Sequence, residues 1–242
     1  MKKFTKVLAA IILMAAMVFA AGCKPENDPN NGGGDNGGNT YNGHEYVDLG
    51  LPSGILWATC NVGAEKPEDY GDYFAWGEIQ SKSIYYWSTY NYCDGGRDKL
   101  TKYCNDSVYG VNGFTDYLTI LEPVDDAATV HWGVGWRTPT REEWGELYSN
   151  TDNEFSILNG VEGWLFTANN GNCLFLPCAD WIYGPVESRT FSGDYWSSSY
   201  VDFLTGPDYA WCFYFGWSSC QIQSVERSLG LSVRPVRSAS QD

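Results

Sequence analysis

The chain has 242 residues, of which 43% are hydrophobic, and its 30 acidic and 15 basic residues give a formal net charge of −15 at pH 7. This composition is typical of a globular protein, and the negative charge disfavours nucleic-acid binding because it repels phosphate. Aromatic residues make up 16% of the chain, which also has 27 Gly, so we expect short strands packed on aromatic rings. The chain has only two His, so we expect neither a metal site nor a cofactor.

The first residues have the pattern of an export signal. Three lysines precede the uncharged run 7–21, which is shorter than the roughly 20 residues of a membrane-spanning helix. The run ends in Ala20-Ala21-Gly22-Cys23, which resembles a bacterial lipoprotein signal. We predict a signal peptide at 1–22 and lipidation of Cys23, which would anchor the protein in a membrane because each buried acyl methylene contributes about 0.8 kcal/mol. The alternative is an ordinary signal peptide.

Residues 23–42 are rich in Asn and Gly and are predicted to form a flexible tether behind the acylated cysteine. Glu26 and Asp28 are similar to the export signal of surface lipoproteins in the Bacteroides group. The expected location is therefore the outer membrane, with the protein facing the cell exterior. A calcium loop in this stretch is disfavoured because no bidentate Glu follows at a suitable distance.

Residues 43–237 have an even composition and are predicted to form one domain, followed by a short tail at 238–242. The first predicted strands span 46–49 and 55–60. A short helix is predicted to start at Asp125 or Asp126 and to end before Gly133. An acid/base role for this aspartate pair is the weaker alternative, since neighbouring side chains diverge in direction.

The clearest helix signal is the capping box of Thr140 and Glu143, which predicts a helix to about Ser149. Trp144, Leu147 and Tyr148 have the spacing of a buried stripe. Four further strands are predicted at 173–177, 195–199, 209–215 and 231–236.

Seven motifs, in this order, resemble the Fibrobacter succinogenes major paralogous domain, which is common in Bacteroidetes surface lipoproteins. They are HEYVDLGLPSG (44–54), WATCNVGA (57–64), DYGDYFAWGE (69–78), WRTPT (136–140), LFLP (174–177), YWSS (195–198) and GLSVRPV (230–236). The resemblance implies an α+β, C-type lectin-like fold, in which two helices pack on a small irregular antiparallel sheet and the chain ends lie close together. The segment from Arg137 to Trp144 is also similar to a helix start in the formylglycine-generating enzyme group.

Seven cysteines follow Cys23, so at least one must be unpaired. A Cys93–Cys104 disulfide would close a short loop and contribute about 3 kcal/mol. Cys212 and Cys220 lie symmetrically about Gly216, and a hairpin turning there would place them opposite each other. We predict both disulfides.

Catalytic motifs are weak. There is no phosphate loop, nucleophile elbow or zinc-protease helix motif in the sequence. Formylglycine-generating enzymes use a C-x4-C pair near the C-terminus, whereas this chain has C-x7-C there, at Cys212 and Cys220. Its C-x4-C pair is Cys173 and Cys178, which lies upstream in a predicted strand. The calcium and sugar motifs of true C-type lectins are also missing. We therefore predict a protein that is not an enzyme, with an oxidase as the remote alternative.

The stretch from Tyr200 to Leu231 mixes aromatic with small polar side chains, which suits a binding surface. Trp217, at the predicted hairpin tip, is expected to be exposed at its centre, whereas Phe213, Phe215 and Tyr195 are expected in the core. The full set of predicted ligand contacts is Tyr200, Asp202, Phe203, Trp211, Trp217, Ser219, Gln221, Gln223, Ser228 and Leu229.

Together these observations predict a surface lipoprotein that binds an unidentified protein or glycan. The same stretch resembles the variable segment of proteins diversified by retroelements, with Trp196, Arg227 and Gly230 among the constant positions and Leu229 and Leu231 among the variable ones. A carbohydrate-binding accessory lipoprotein of a glycan-uptake system is the alternative function.

Overall fold

The computed structural model describes residues 39–188, 191–201 and 206–239. Within these ranges the chain is a mixed α+β protein, mostly β-sheet, with two α-helices, α1 (Ala127–Trp132) and α2 (Arg141–Ser149). The strands are β1 (Thr40–Tyr41), β2 (His44–Asp48), β3 (Ile55–Ala58), β4 (Tyr73–Phe74), β5 (Thr151–Leu158), β6 (Val161–Ala168), β7 (Cys173–Pro177), β8 (Ile182–Tyr183), β9 (Val186–Glu187), β10 (Gly193–Tyr200), β11 (Tyr209–Phe215), β12 (Cys220–Glu226), β13 (Leu231–Ser232) and β14 (Val236–Ser238). None of the described helices has the length and apolarity to cross a membrane.

The strands form four sheets. Their strand orders are β1-β2-β3-β14, β12-β11-β10-β13-β4, β5-β6-β7 and β8-β9. All pairs are antiparallel except β10 with β13. The first sheet places the two ends of the described chain side by side, because β14 pairs with β3, which also pairs with β2. It also includes Thr40 and Tyr41, which the sequence assigned to the tether.

Both predicted helices are present and begin at the predicted caps. The Asp126 carboxylate accepts hydrogen bonds from the backbone N–H groups of Ala128 and Thr129 at the start of α1. Thr140 and Glu143 form the reciprocal capping box of α2. The expectation for Tyr148 was wrong: its side chain is 42% exposed, because the buried residues of α2 are limited to Trp144 and Leu147.

The main core lies where α2 packs on β10, β11 and β12. The indole of Trp144 stacks on Phe213 at a centroid distance of 4.8 Å and an interplanar angle of 5°, and its Nε1 donates to the carbonyl of Trp196. Phe213, Phe215 and Tyr195 are all fully buried here, as predicted. Close packing also explains Gly193, where a β-carbon would lie 1.9 Å from Phe215 Cζ.

Two parts of the strand prediction were incomplete. The long strands β5, β6 and β12 and the two-residue strands β1, β4, β8 and β9 were not predicted; most residues of β5 and β12 are exposed or only partly buried, whereas β6 is mostly buried. The predicted strand at 231–236 is divided into β13 and β14, which belong to different sheets. Between them the buried guanidinium of Arg234 donates to Asn61 Oδ1 and to the carbonyl of Ala58, so this segment connects the two sheets.

The two predicted disulfides do not form: Cys93, Cys104, Cys212 and Cys220 are all free thiols. The β11–β12 register places Cys212 opposite Gln223 and Cys220 opposite Phe215, since the hairpin turns one to two residues later than Gly216.

In the other predicted loop, Cys93 pairs with Leu100 through the backbone, and Cys104 lies beyond that bridge. Their thiols donate instead to backbone carbonyls, that of Cys93 to Trp87 and that of Cys104 to Asp106. Cys60 is also a free thiol, and it is only partly buried.

Candidate functional site

The hairpin of β11 and β12 carries the site. Its turn is closed by a hydrogen bond from the Gly216 N–H to the Ser219 carbonyl. The Trp164 indole donates to the Gly216 carbonyl at 2.9 Å, which fixes the turn against β6. Trp217 and Ser219 are both exposed at this tip, as the sequence predicted for Trp217.

Trp217 belongs to a group of three rings, which we call the aromatic platform: Phe155, Phe191 and Trp217. Phe155 stacks under Trp217 with centroids 5.2 Å apart and an interplanar angle of 10°. Phe191 meets Trp217 edge-on at 6.1 Å. Trp217 is nevertheless 62% exposed and Phe191 52% exposed. The platform is therefore an apolar surface whose rings hold one another in place.

The remaining predicted contacts do not form a single surface. Directly opposed residues of an antiparallel strand pair point to the same face of the sheet. Trp211, opposite Ser224, therefore lies on the same face as Phe213. Gln221 and Gln223 lie on the opposite face. Trp211 is half-buried, with the Arg141 guanidinium 4.0 Å from its ring centroid. Gln221 donates to Gln223 at 3.2 Å.

Three other predicted contacts belong to the interior. Tyr200 is buried, and its hydroxyl donates to Asn105. Ser228 is fully buried, and Leu229 packs against the core. Leu231, expected to be variable, is also fully buried. Tyr200, Leu229 and Leu231 belong to a hydrophobic cluster that also contains Trp76, Trp136 and Trp196, so they do not form a ligand surface. Asp202, Phe203 and the lipidation residue Cys23 lie outside the described residues.

An open cleft adjoins the platform, with a volume of about 630 Å³. The Gly160–Glu162 segment, the Cys178–Asp180 segment and the stretch around Glu187 line it, together with the rings of Tyr70 and Phe191. We call it the acidic cleft, since Glu162, Asp180 and Glu187 all contribute carboxyl groups. Phe191 is shared with the platform, so the two features form one continuous surface.

A buried pair of carboxyl groups lies behind the cleft. The Ser192 hydroxyl is 2.7 Å from Asp180 Oδ1 and 3.0 Å from Asp194 Oδ2. Burial raises the pKa of Asp194 to about 7; a hydrogen bond from Ser192 opposes this effect and the charge of Asp180 adds to it. Since one hydroxyl has one proton, both contacts are hydrogen bonds when Asp194 is protonated and donates to Ser192.

Asp125 and Asp126 have separate structural roles. Asp126 caps α1 and also accepts from the Thr138 N–H and hydroxyl groups. Asp125 pairs with Lys102 Nζ at 2.5 Å and accepts a hydrogen bond from the Tyr92 hydroxyl at 2.7 Å. Burial acts to raise the pKa of Asp125, but the hydrogen bonds from Lys102, Tyr103 and Tyr92 outweigh it and lower the pKa.

Sequence reasoning found Trp217 but missed Phe155, Phe191 and Tyr70. Phe155 is on β5, which was not predicted, and its apolar side chain in a polar strand is the signal that could have found it. Nothing in the sequence indicates that these three rings meet the hairpin tip or its neighbouring cleft.

Comparisons of the chain with models of protein families, with curated proteins and with solved structures find no match. Among residues 39–188, 191–201 and 206–239, no three His, Cys, Asp or Glu side chains are grouped closely enough to hold a metal ion. The geometry of the platform and cleft therefore carries the functional argument.

Proposed function

We propose that this protein is a non-enzymatic lipoprotein of the outer cell surface, whose C-type lectin-like domain binds a ligand on the aromatic platform. The observation that carries the proposal is the exposure of Trp217. Leaving a large ring in water forgoes about 1.5–3 kcal/mol of burial, and rings at such positions often dominate binding energy.

The platform is also organised before any ligand arrives. Phe155 and Phe191 hold the indole from two sides, and Trp164 fixes the turn that carries it. Rings that are already ordered lose little conformational entropy on binding, so more of the contact energy contributes to affinity.

The arrangement of the described elements supports the proposed fold class. Two short helices accompany small, mostly antiparallel sheets, and β14 lies beside β3 in the sheet that also contains β2. This agrees with the motif resemblance, which implies two helices, an irregular sheet and adjacent chain ends. Retroelement diversification would act on the exposed tip, at Trp217 and Ser219, on a constant frame that includes the buried Trp196 and Arg227.

A second candidate function is glycan binding, as an accessory lipoprotein of a glycan-uptake system. Exposed indole rings stack on sugar faces, and carboxylates such as Glu162 and Glu187 in the adjoining cleft would accept hydrogen bonds from sugar hydroxyls.

The test uses the detergent-solubilised full chain on arrays of defined glycans and defined peptides. We expect binding that falls about thirtyfold in Trp217→Ala, the equivalent of about 2 kcal/mol. Tyr117→Ala is the matched control, because Tyr117 is 69% exposed and is not part of the platform. Binding to neither array, or equal losses in both variants, contradicts the proposal. Binding to peptides alone eliminates the glycan candidate.

The proposed location has its own test. Cys23→Ala removes the acceptor thiol for the lipid, so we expect the protein to leave the membrane fraction after cell lysis. Metabolic labelling with a fatty acid should mark the native chain and not the variant. A variant that stays in the membrane fraction would show that the lipid anchor is wrong.

A further inference from the structure

The acidic cleft brings together carboxyl groups from three separated parts of the chain. Glu162 comes from β6, Glu187 from β9, and Asp180 from the segment between β7 and β8. Glu187 is exposed and Glu162 is partly exposed, whereas Asp180 lies buried at the cleft wall. No lysine or arginine occurs among the described residues that line the cleft; Arg189, between the lining residues Ser188 and Phe191 in the sequence, lies outside the described residues.

Two other groups in the cleft respond to this negative charge. Burial raises the pKa of the Cys178 thiol to about 12, and the charges of Glu162, Asp180 and Asp194 act in the same direction. Burial also raises the pKa of Tyr70, and the nearby Cys178, Asp180, Glu187 and Glu162 add to the effect. The described lining of the cleft therefore carries negative charge, which attracts cations.

The cleft walls also suit a cation with an apolar stem. Tyr70 is 40% exposed and Phe191 is 52% exposed, so both ring faces are accessible beside the carboxylates. Lysine and arginine bury their methylene stems against apolar surfaces and place their charged groups over aromatic rings. Each such contact contributes roughly 0.5–1 kcal/mol at an exposed site.

The spacing of the carboxylates distinguishes between classes of cation. No group of three acidic side chains in the described part of the chain is compact enough to coordinate one metal ion. Carboxylates spread over an open cleft instead match several positive charges distributed along one ligand. The cleft volume of about 630 Å³ lies within the range of small-molecule pockets, roughly 300–1000 Å³, and has room for several side chains.

We propose that the acidic cleft binds a lysine- or arginine-rich polypeptide segment, with Glu162 and Glu187 pairing with its charges and Tyr70 and Phe191 covering its side-chain stems. This inference rests on the proposed function, because Phe191 belongs to both the cleft and the platform. The inference specifies the chemical class of the partner: the bound polypeptide segment is basic, and electrostatic attraction contributes to its binding.

The experiment measures the fluorescence anisotropy of labelled oligolysine and oligoarginine on titration with the detergent-solubilised full chain. The Glu162→Gln/Glu187→Gln double variant should weaken binding at least about tenfold, and Phe191→Leu several-fold. Asp152→Asn is the charge control, because Asp152 is exposed at the end of β5 remote from the Gly160 turn that lines the cleft. Thermal unfolding of each variant verifies that the fold is retained.

Binding should weaken as salt is raised to about 0.5 M, where the Debye length is only a few ångströms. Oligoglutamate should not bind. Equal losses in the double variant and in Asp152→Asn would mean attraction to net charge alone, and would overturn the inference. Binding of calcium that the double variant abolishes, without binding of oligolysine, would also overturn it.

The two proposals fail separately. If oligolysine and oligoarginine do not bind, but Trp217-dependent binding on the arrays persists, the cleft inference is wrong and the proposed function stands. If both peptides bind through the cleft, but no array binding depends on Trp217, the platform is not the ligand surface. The proposed function is then wrong in assigning ligand binding to the platform.

Discussion

Trp144 and Trp217 make nearly the same contact in two very different places. Each indole stacks almost parallel on a phenylalanine, Trp144 on Phe213 at 4.8 Å and Trp217 on Phe155 at 5.2 Å. Trp144 is fully buried between α2 and β11, whereas Trp217 is 62% exposed at a hairpin tip. Ring stacking therefore does not separate a core residue from a binding residue; the fraction of the ring that remains in water does.

The physical reason is the surroundings of each pair. Trp144 also contacts Trp57 and Tyr195, and its Nε1 donates to the Trp196 carbonyl, so removing the ring would leave a cavity and an unpaired acceptor. Trp217 touches two rings and then solvent, and water would fill its place at little cost. The first residue contributes mainly to folding, and we assign the second to binding.

The largest expected effect is on the buried side of this comparison. Trp144→Ala should lower the free energy of unfolding by about 3–5 kcal/mol, because the lost burial is combined with a cavity. Denaturant unfolding followed by circular dichroism measures it. A loss below about 1 kcal/mol would mean that the core does not depend on α2, and the contrast with Trp217 would disappear.

The strand that connects the two regions supplies the next test. Asp194 lies immediately before Tyr195, which packs on Trp144. It also lies three residues after Phe191, which contacts Trp217. Its folded pKa of about 7 lies above the ordinary value of 3.8, so the folded state binds a proton more tightly than the unfolded state. This stabilisation is complete below about pH 4 and is lost as pH rises through about 7.

Asp194→Asn keeps a neutral side chain at every pH. Relative to wild type, the variant should therefore gain stability between about pH 4 and pH 7, by up to about 4 kcal/mol, and then stay level. Denaturant unfolding at a series of pH values measures the difference. Asp125→Asn is the control of opposite sign: the lowered pKa of Asp125 favours its charged form, so that variant should be destabilised relative to wild type at neutral pH and less so in acid. A flat difference for Asp194→Asn would contradict the raised pKa.

Trp217→Ala should change the free energy of unfolding by less than about 1 kcal/mol, while weakening ligand binding as described above. Phe155 also packs against the main core, and Phe191 is already 52% exposed, so loss of the indole removes little buried surface. Early thermal unfolding of this variant would place Trp217 in the core and move the binding surface elsewhere.

The smallest expected effect is that of Phe155→Leu. Leucine fills most of the volume under Trp217 but provides no flat ring for stacking, which is worth about 0.5–1.5 kcal/mol beyond burial. Stability should fall by no more than that amount. The mobility of the Trp217 indole should increase, and time-resolved fluorescence anisotropy measures it. The Trp217→Phe protein gives the signal of the other tryptophans, which is subtracted. Unchanged mobility would mean that Phe155 does not organise the platform.

Local sequence rules determined several parts of this protein. The capping box of Thr140 and Glu143 predicted α2, Asp126 predicted α1, and the apolar pattern predicted β7 and β11 with their observed bounds. The exposed position of Trp217 also followed from its place in a turn. In each case neighbouring residues alone satisfy the backbone or set the direction of the side chain.

Tertiary structure decided what depends on distant residues. A shift in the β11–β12 turn separated Cys212 from Cys220, and burial under other elements removed Tyr200, Ser228 and Leu229 from the predicted surface. Phe155 and Phe191 reach Trp217 from strands and loops far away along the chain. Such contacts are set by how whole sheets pack, and a pattern of residues in one segment carries no information about the segment that will cover it.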